Sequence, residues 1–331
     1  MRRVSTAAGS LPDPIGHLLE RIVARHAGVT RGEVATYIPE LARADPTAFG
    51  IAVVTVDGRV LAAGAADRAF TIQSVSKPFV YGMALDAHGP DRVAGSVGVE
   101  PTGDPFNAIA LDPATGRPFN PMVNAGAIAT TGLIATGDEA ADRARLLGVF
   151  SAAAGRPLAI DEATFVSERE TGHRNRAIGH LLRNAGVIDG PVDEVLDLYF
   201  AQCSILVTVR DVARMAATLA NLGADPVGGA DVFGPQTVRD VLSVMFTCGM
   251  YDGAGRWAHR VGVPAKSGVS GVVMGVVNRR LGFAAWSPPL DGHGNSVRAL
   301  LAAEDLADEL GLHVFDPLNA GSSFLGAIDV G

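Results

Sequence analysis

Ser74 and Lys77 stand three residues apart at the start of a segment, 74–88, whose pattern predicts a helix. That spacing puts both side chains on one helical face. A serine hydroxyl is a poor nucleophile until a neighbouring base takes its proton. Lysine is such a base only where burial or nearby cations lower its pKa. Arginine cannot do the job, because it stays protonated. The pair therefore points to acyl transfer through a serine ester. By itself S-x-x-K is a weak signal, and a surface lysine near a helix start is the bland alternative. The composition adds weight. Of 27 basic residues only two are lysine, Lys77 and Lys266, and the other 25 are arginine. Lys266 opens Lys266-Ser267-Gly268, on or just after a predicted strand.

Tyrosine is nearly as sparse, with Tyr37, Tyr81, Tyr199 and Tyr251. Buried core is the default reading for each. Tyr251, in Cys248-Gly249-Met250-Tyr251-Asp252-Gly253, is the best candidate for a phenol presented by a loop. Cys203 and Cys248 form no C-x-x-C and no Cys/His cluster, and no H-E-x-x-H occurs, so no metal is expected. No G-x-G-x-x-G or Walker loop suggests a nucleotide, and no cofactor is implied. A net charge of −8 argues against a broad nucleic-acid surface. Arg2-Arg3 is not followed by an apolar export segment, and no uninterrupted apolar stretch approaches membrane length. The expectation is a cytoplasmic protein with reduced thiols and no membrane contact.

The elements that must position these residues follow from pattern. Residues 13–28 read as an amphipathic helix with Pro14 in its first turn. Residues 49–56 and 59–63 read as a hairpin around Asp57-Gly58, a pair that favours a tight primed turn. Between 85 and 221, helical patterns at 139–153, 175–185 and 209–222 alternate with Gly/Pro/Asn-rich loops. Strands return at 260–266, 272–277 and 281–286. Asn295 then caps a helix ending near Gly311. The tail after His313, with Asn319, Gly321, Ser322 and Ser323, reads as loop. The expected fold class is α/β (α+β): a five-stranded antiparallel sheet flanked by the terminal helices, with an inserted all-helical lobe. The expected domains are 1–84 plus 235–331, discontinuous, and 85–234, helical, with the site in the cleft between them.

S-x-x-K combined with Lys266-Ser267-Gly268 resembles the motif pair of serine acyl-transfer enzymes. Ordered blocks extend the likeness along almost the whole chain. They include Tyr37-Ile38-Pro39-Glu40-Leu41, Gln73-Ser74-Val75-Ser76-Lys77, Glu100-Pro101-Thr102-Gly103-Asp104-Pro105-Phe106-Asn107, Asn120-Pro121-Met122-Val123-Asn124-Ala125-Gly126 and Ser167-Glu168-Arg169-Glu170-Thr171-Gly172. Further on come Arg174-Asn175-Arg176, Tyr199-Phe200, Gln202-Cys203-Ser204, the Tyr251 loop, and Lys266-Ser267-Gly268-Val269. The chain resembles the serine-dependent glutaminases of the serine β-lactamase and penicillin-binding superfamily. That resemblance implies a β-lactamase/transpeptidase-like fold, hydrolysis of L-glutamine to L-glutamate and ammonia, and a homodimer or homotetramer. It implies Ser74 as nucleophile, Lys77 as its partner, and substrate contacts from Tyr37, Asn124, Glu168, Asn175, Tyr199, Tyr251 and Val269. Glu168 suits the substrate ammonium, and the amides and phenols suit its carboxylate. Lys266 is expected to lend positive field to the cleft. Whether Lys77 or Tyr251 is the principal base stays open.

Two positions depart from the family pattern. His173 stands where many members are acidic, and Pro78 follows Lys77, where the first helical turn tolerates it. The competing readings are a β-lactamase or cell-wall peptidase, a non-catalytic amino-acid-binding protein, and an amidase using Cys203 or Cys248.

Overall fold

In the computed structural model, residues 13–316 are described except 104 and 106. Arg2-Arg3, Asp104, Phe106 and the tail residues Asn319 to Ser323 lie outside that set. Helix α1 (Pro14–His26) starts where the Asp13 carboxylate accepts from the N–H groups of Ile15 and Gly16. Strands β1 (Gly50–Thr55) and β2 (Val60–Gly64) form the hairpin. The short β3 (Phe70–Thr71) runs into a 3-10 turn, Gln73–Ser76, and then helix α2 (Lys77–Ala94), which breaks at Gly89-Pro90.

Helices α3 (Asn124–Ile134), α4 (Glu139–Ala154), α5 (Glu162–Thr171), α6 (His173–Asn184) and α7 (Val192–Cys203) follow. Next come β4 (Leu206–Val207), which pairs with β3, then α8 (Val209–Ala220), α9 (Pro235–Cys248) and α10 (Ala254–Arg260). Strands β5 (Ala265–Gly268), β6 (Val272–Val277) and β7 (Leu281–Trp286) and helix α11 (Val297–Leu310) complete the fold. Among the described residues no helix is long and apolar enough to cross a membrane.

The sheet order is β2-β1-β7-β6-β5, antiparallel throughout. The expected five-stranded sheet, assembled from both ends of the chain, is present. Alternation along each strand divides the core in two. Ile51, Val53, Phe283 and Ala285 pack with Leu18, Leu19 and Ile22 of α1 and Ala299, Ala302 and Leu306 of α11. Ala52, Val54, Met274 and Ala284 face the other way, onto Val212, Ala213 and Ala216 of α8. Helix α8 falls within 85–234 yet crosses β7, β1 and β6. Its backbone approaches β7 so closely that a Cβ on Gly282 would lie 2.1 Å from the Ala217 nitrogen. Gly282→Ala is therefore expected to cost about 3 kcal/mol, at the upper end for overpacking. A urea melt without a downward midpoint shift would contradict this packing.

Three local expectations need correction. The hairpin loop is not a primed two-residue turn: Gly58 alone has positive φ (+88°), as in the three-residue loop in which a type I turn ends in a left-handed glycine. Residues 260–266 are not one strand. Arg260 ends α10, and Pro264, which lacks a ladder N–H, precedes β5. Ser296, not Asn295, caps α11, its Oγ accepting from the Ala299 N–H.

Helices α3, α5, α7, α9 and α10 are not among the elements that the sequence pattern predicts. Residues 124–131 of α3 are buried all round, so no polar face marks the helical period. Pro78 occupies the first turn of α2, as expected.

Candidate active site

The chain leaves β3 and reverses sharply at Gln73, whose φ is +51°. For a residue with a Cβ this is a sparsely populated conformation that surrounding contacts must hold. They do so here. The Ile72 N–H donates to Ile205 O, Gln73 Nε2 donates to Thr71 Oγ1, and Ser76 Oγ donates to Gln73 O. Gln202 Nε2 reaches Ser76 Oγ from α7. The bend sets Ser74 at the wall of a cavity and Lys77 behind it.

Lys77 is fully buried, and its Nζ lies 2.5 Å from Ser74 Oγ. Among the described residues no carboxylate forms an ion pair with it. Burial lowers the Lys77 pKa to about 8, with Glu168 pulling in the opposite direction. Tyr251 also has left-handed backbone, φ +59°. Its hydroxyl donates to Ser267 O at 2.9 Å and is hydrogen-bonded with Ser74. Burial pushes its pKa up to about 12.

Lys266 is equally buried and is not among the residues that line the cavity. Its Nζ donates to Gly249 O (3.0 Å) and Ser267 O (2.8 Å) and lies 3.9 Å from the Tyr251 ring centroid. Burial, assisted by the charge on Lys77, drives its pKa well below the ordinary lysine value. Burial thus works against the positive charge that the expected role as a source of field in the cleft calls for.

The cavity holds about 280 Å³. Of the expected substrate contacts, Tyr37, Ser74, Asn124, Glu168, Asn175, Tyr199 and Val269 line it, whereas the buried Tyr251 is not among the lining residues. They come from separate elements: Asn124 opens α3, Glu168 lies in the last turn of α5, Asn175 is in the first turn of α6, and Tyr199 is on α7. Tyr37 is half exposed at the mouth. Glu168 is buried, and burial raises its pKa to about 7 against a Gln73 hydrogen bond and the Lys77 charge. Asn124 Nδ2 donates to Asn175 Oδ1 at 3.1 Å, leaving the Asn175 amide able to donate into the cavity.

Helices α5 and α6 meet at Gly172, which lines the same cavity. The end of α5 carries Glu168, and α6 starts without a side-chain cap or a first-turn acid. The corner thus offers an anion beside an uncompensated helix N-terminus. Such a pocket is matched to a small zwitterion.

Cys203, the nucleophile of the competing amidase reading, also lines it, and Ile38, Gln73, Asn107, Thr171, Gly172 and Arg174 complete the lining without a predicted site role. Arg174 had a usable signal, since it directly precedes Asn175. Among the described residues its guanidinium has no hydrogen-bond or ion-pair partner. His173 faces a separate surface depression with Val166, Arg169, Glu170 and Arg176, outside the cavity. Cys203 is a lining thiol whose pKa burial raises to about 12, so little thiolate forms.

The glutaminase family model matches residues 32–315. A glutaminase of Nostoc sp. is 50% identical over 316 residues, spanning 95% of this chain and 94% of its own. The crystal structure of Mglu in its glutamate form superposes with a TM-score of 0.89 at 43% identity, over 92% of this chain and 71% of that one. The probable glutaminase from Bacillus subtilis complexed with 6-diazo-5-oxo-L-norleucine superposes with a TM-score of 0.84 at 31% identity, over 95% and 100%.

Proposed function

The chain belongs to the glutaminase family and is an enzyme that hydrolyses L-glutamine to L-glutamate and ammonia, and we propose that it does so through a γ-glutamyl ester on Ser74 formed with Lys77 as base. The observation that carries this reading is the 2.5 Å contact between a fully buried amine and the Ser74 hydroxyl. Neutral Lys77 takes the Ser74 proton as Oγ attacks the γ-carbonyl. The tetrahedral intermediate collapses, the C–N bond breaks, and Lys77 returns its proton to the nitrogen, which leaves as ammonia. Water then attacks the ester as Lys77 accepts its proton; the bond from the acyl carbon to Ser74 Oγ breaks, Lys77 passes the proton to Oγ, and glutamate departs.

The oxyanion is held by the N–H groups of Ser74 and Val269. Ser74 stands at the start of the 3-10 turn, where N–H groups lack intrahelical partners. Each such donor typically contributes about 3 kcal/mol. Glu168 binds the substrate ammonium. Asn175, Asn124, Tyr37 and Tyr199 read the carboxylate.

Lys77 is favoured over Tyr251 as the base. Near neutral pH an amine with a pKa of about 8 is partly free, whereas a phenol at about 12 is not ionised, and its proton already goes to a backbone carbonyl. The cysteine-amidase reading has no support from a thiol held at about 12. Ser74 and Lys77 come from residues 1–84, and Asn124, Glu168, Asn175 and Tyr199 come from 85–234. This supports reading the cavity as the cleft between two lobes. Family likeness further supports a cytoplasmic homodimer or homotetramer, which light scattering on purified protein would check.

Ammonia release from L-glutamine, with L-asparagine and D-glutamine as controls, tests the activity. Acid quench during turnover should leave a mass increment on the peptide bearing Ser74. The pH profile tests the groups. Lys77 must be neutral (about 8) and Glu168 ionised (about 7), so both requirements are lost on the acid side. The two groups interact, so the apparent values belong to the pair. We expect kcat/KM to rise at least about tenfold from pH 6 to pH 8. A rate that falls over that interval would rule out this assignment.

A further inference from the structure

Two hydrogen-bond donors converge on one backbone oxygen behind the nucleophile. Tyr251 Oη and Lys266 Nζ both donate to Ser267 O, at 2.9 and 2.8 Å. A carbonyl oxygen has two lone pairs, and here both are used. The phenol proton is thereby committed to Ser267, and the phenol lone pairs are left toward Ser74, with which Tyr251 is also hydrogen-bonded. Lys266 fixes this arrangement from two further directions. Its bond to Gly249 O ties the loop that carries Tyr251 to β5. The same nitrogen lies 3.9 Å from the centroid of the Tyr251 ring and so packs against its face. The loop needs such a restraint, because Tyr251 is held at φ +59°, a conformation few non-glycine residues adopt unaided.

We infer that Lys266 is a positioning residue for the reaction, acting through Tyr251: it holds the ring and occupies the second lone pair of Ser267 O, so that the phenol oxygen orients the Ser74 hydroxyl until Lys77 takes its proton. The inference rests on the Ser74–Lys77 reading above. It assigns no substrate contact to Lys266, whose side chain is absent from the cavity wall. Its chemistry also accounts for the residue type. A buried primary amine keeps two N–H donors even when neutral, matching the two carbonyls. An arginine fork would bring more donors than these two acceptors and could not shed its charge.

The test is a double-mutant cycle on the full chain with Lys266→Met and Tyr251→Phe. Lys266→Met alone should lower kcat about 100-fold and change KM by less than about threefold, because the substrate-binding groups are untouched. In the Tyr251→Phe background the same substitution should cost less than about threefold, since no phenol oxygen remains to be aimed. Lys266→Gln, a neutral donor, should recover to within about tenfold of the parent. Equal losses in both backgrounds, or a loss expressed in KM, would overturn the inference. So would failure of both Lys266 variants to fold by thermal melting, because Lys266 would then be a core support. The mass increment on the Ser74 peptide, measured in the parent protein, reports on the Ser74 reading separately. Its absence there would remove the premise, whereas its presence with a failed cycle would remove only the role of Lys266.

Discussion

Lys77→Arg is expected to lower kcat for L-glutamine by roughly 10³- to 10⁴-fold while leaving a folded protein. The substitution keeps a positive charge and removes the base, since a guanidinium does not deprotonate in the working pH range. Lys77 has no carboxylate partner among the described residues, and its burial lowers the pKa to about 8. Both features suit an amine that must lose its proton easily. The composition bears on the same point. This chain uses arginine at 25 of 27 basic positions, so a lysine touching Ser74 marks a place where charge alone does not suffice. A companion Lys77→Met variant separates lost basicity from the extra bulk of arginine, and both should be equally slow. Ammonia release within about tenfold of the parent in the arginine variant would exclude Lys77 as the base.

The second large effect is expected at Glu168. Glu168→Gln should lower kcat/KM by roughly 10²- to 10³-fold, mostly through KM. Removing one partner of a buried charge pair typically costs several kcal/mol, because the other charge is left unpaired. The substrate analogue without its α-amino group supplies the control. The parent enzyme should strongly prefer glutamine over that analogue, and the variant should show little preference. A sign follows for pH as well. Glu168 raises the pKa of Lys77, so neutralising it should move the Lys77 titration below about 8. The acid limb of kcat should then shift to lower pH. A limb that stays in place or moves upward would argue against electrostatic contact between the two groups.

Elements marked by a one-sided apolar stripe at the chain ends or by a concentrated apolar run are legible in the sequence, whereas the all-buried α3 and the amphipathic α9 are not. The α1 helix announces itself through Leu18, Leu19 and Ile22 on one side, and β1 and β7 through β-branched or aromatic runs. Helix α3 does not, because its small residues are buried all round. For the site, Ser74, Lys77 and Lys266 were legible from residue type and spacing. Asn124, Glu168, Asn175 and Tyr199 became visible only through family likeness, since a lone Asn, Glu or Tyr carries no pattern. Two features had no signal at all. The left-handed backbone at Gln73 and Tyr251 is imposed by tertiary contacts. The anchoring of Lys266 depends on the carbonyls of Gly249 and Ser267, which no side-chain pattern encodes.

The pairing of β1 with β7 has a consequence for the order in which the molecule comes into being. These neighbours, Gly50 to Trp286 and Val53 to Phe283, are more than two hundred residues apart along the chain. During synthesis the nucleophile segment therefore leaves the ribosome long before the strand carrying Lys266 exists. The α3 to α7 block can pack early from local contacts, but the sheet must wait for its last strands. Such non-local closure is slow and leaves strand edges unpaired in the interval. Ser74 and Lys77 meet early, as neighbours on one turn, while Tyr251 and Val269 join them only when β5 to β7 dock. A nascent chain thus carries the reactive pair without Tyr251 and Val269, and hydrolytic competence arrives in one late step.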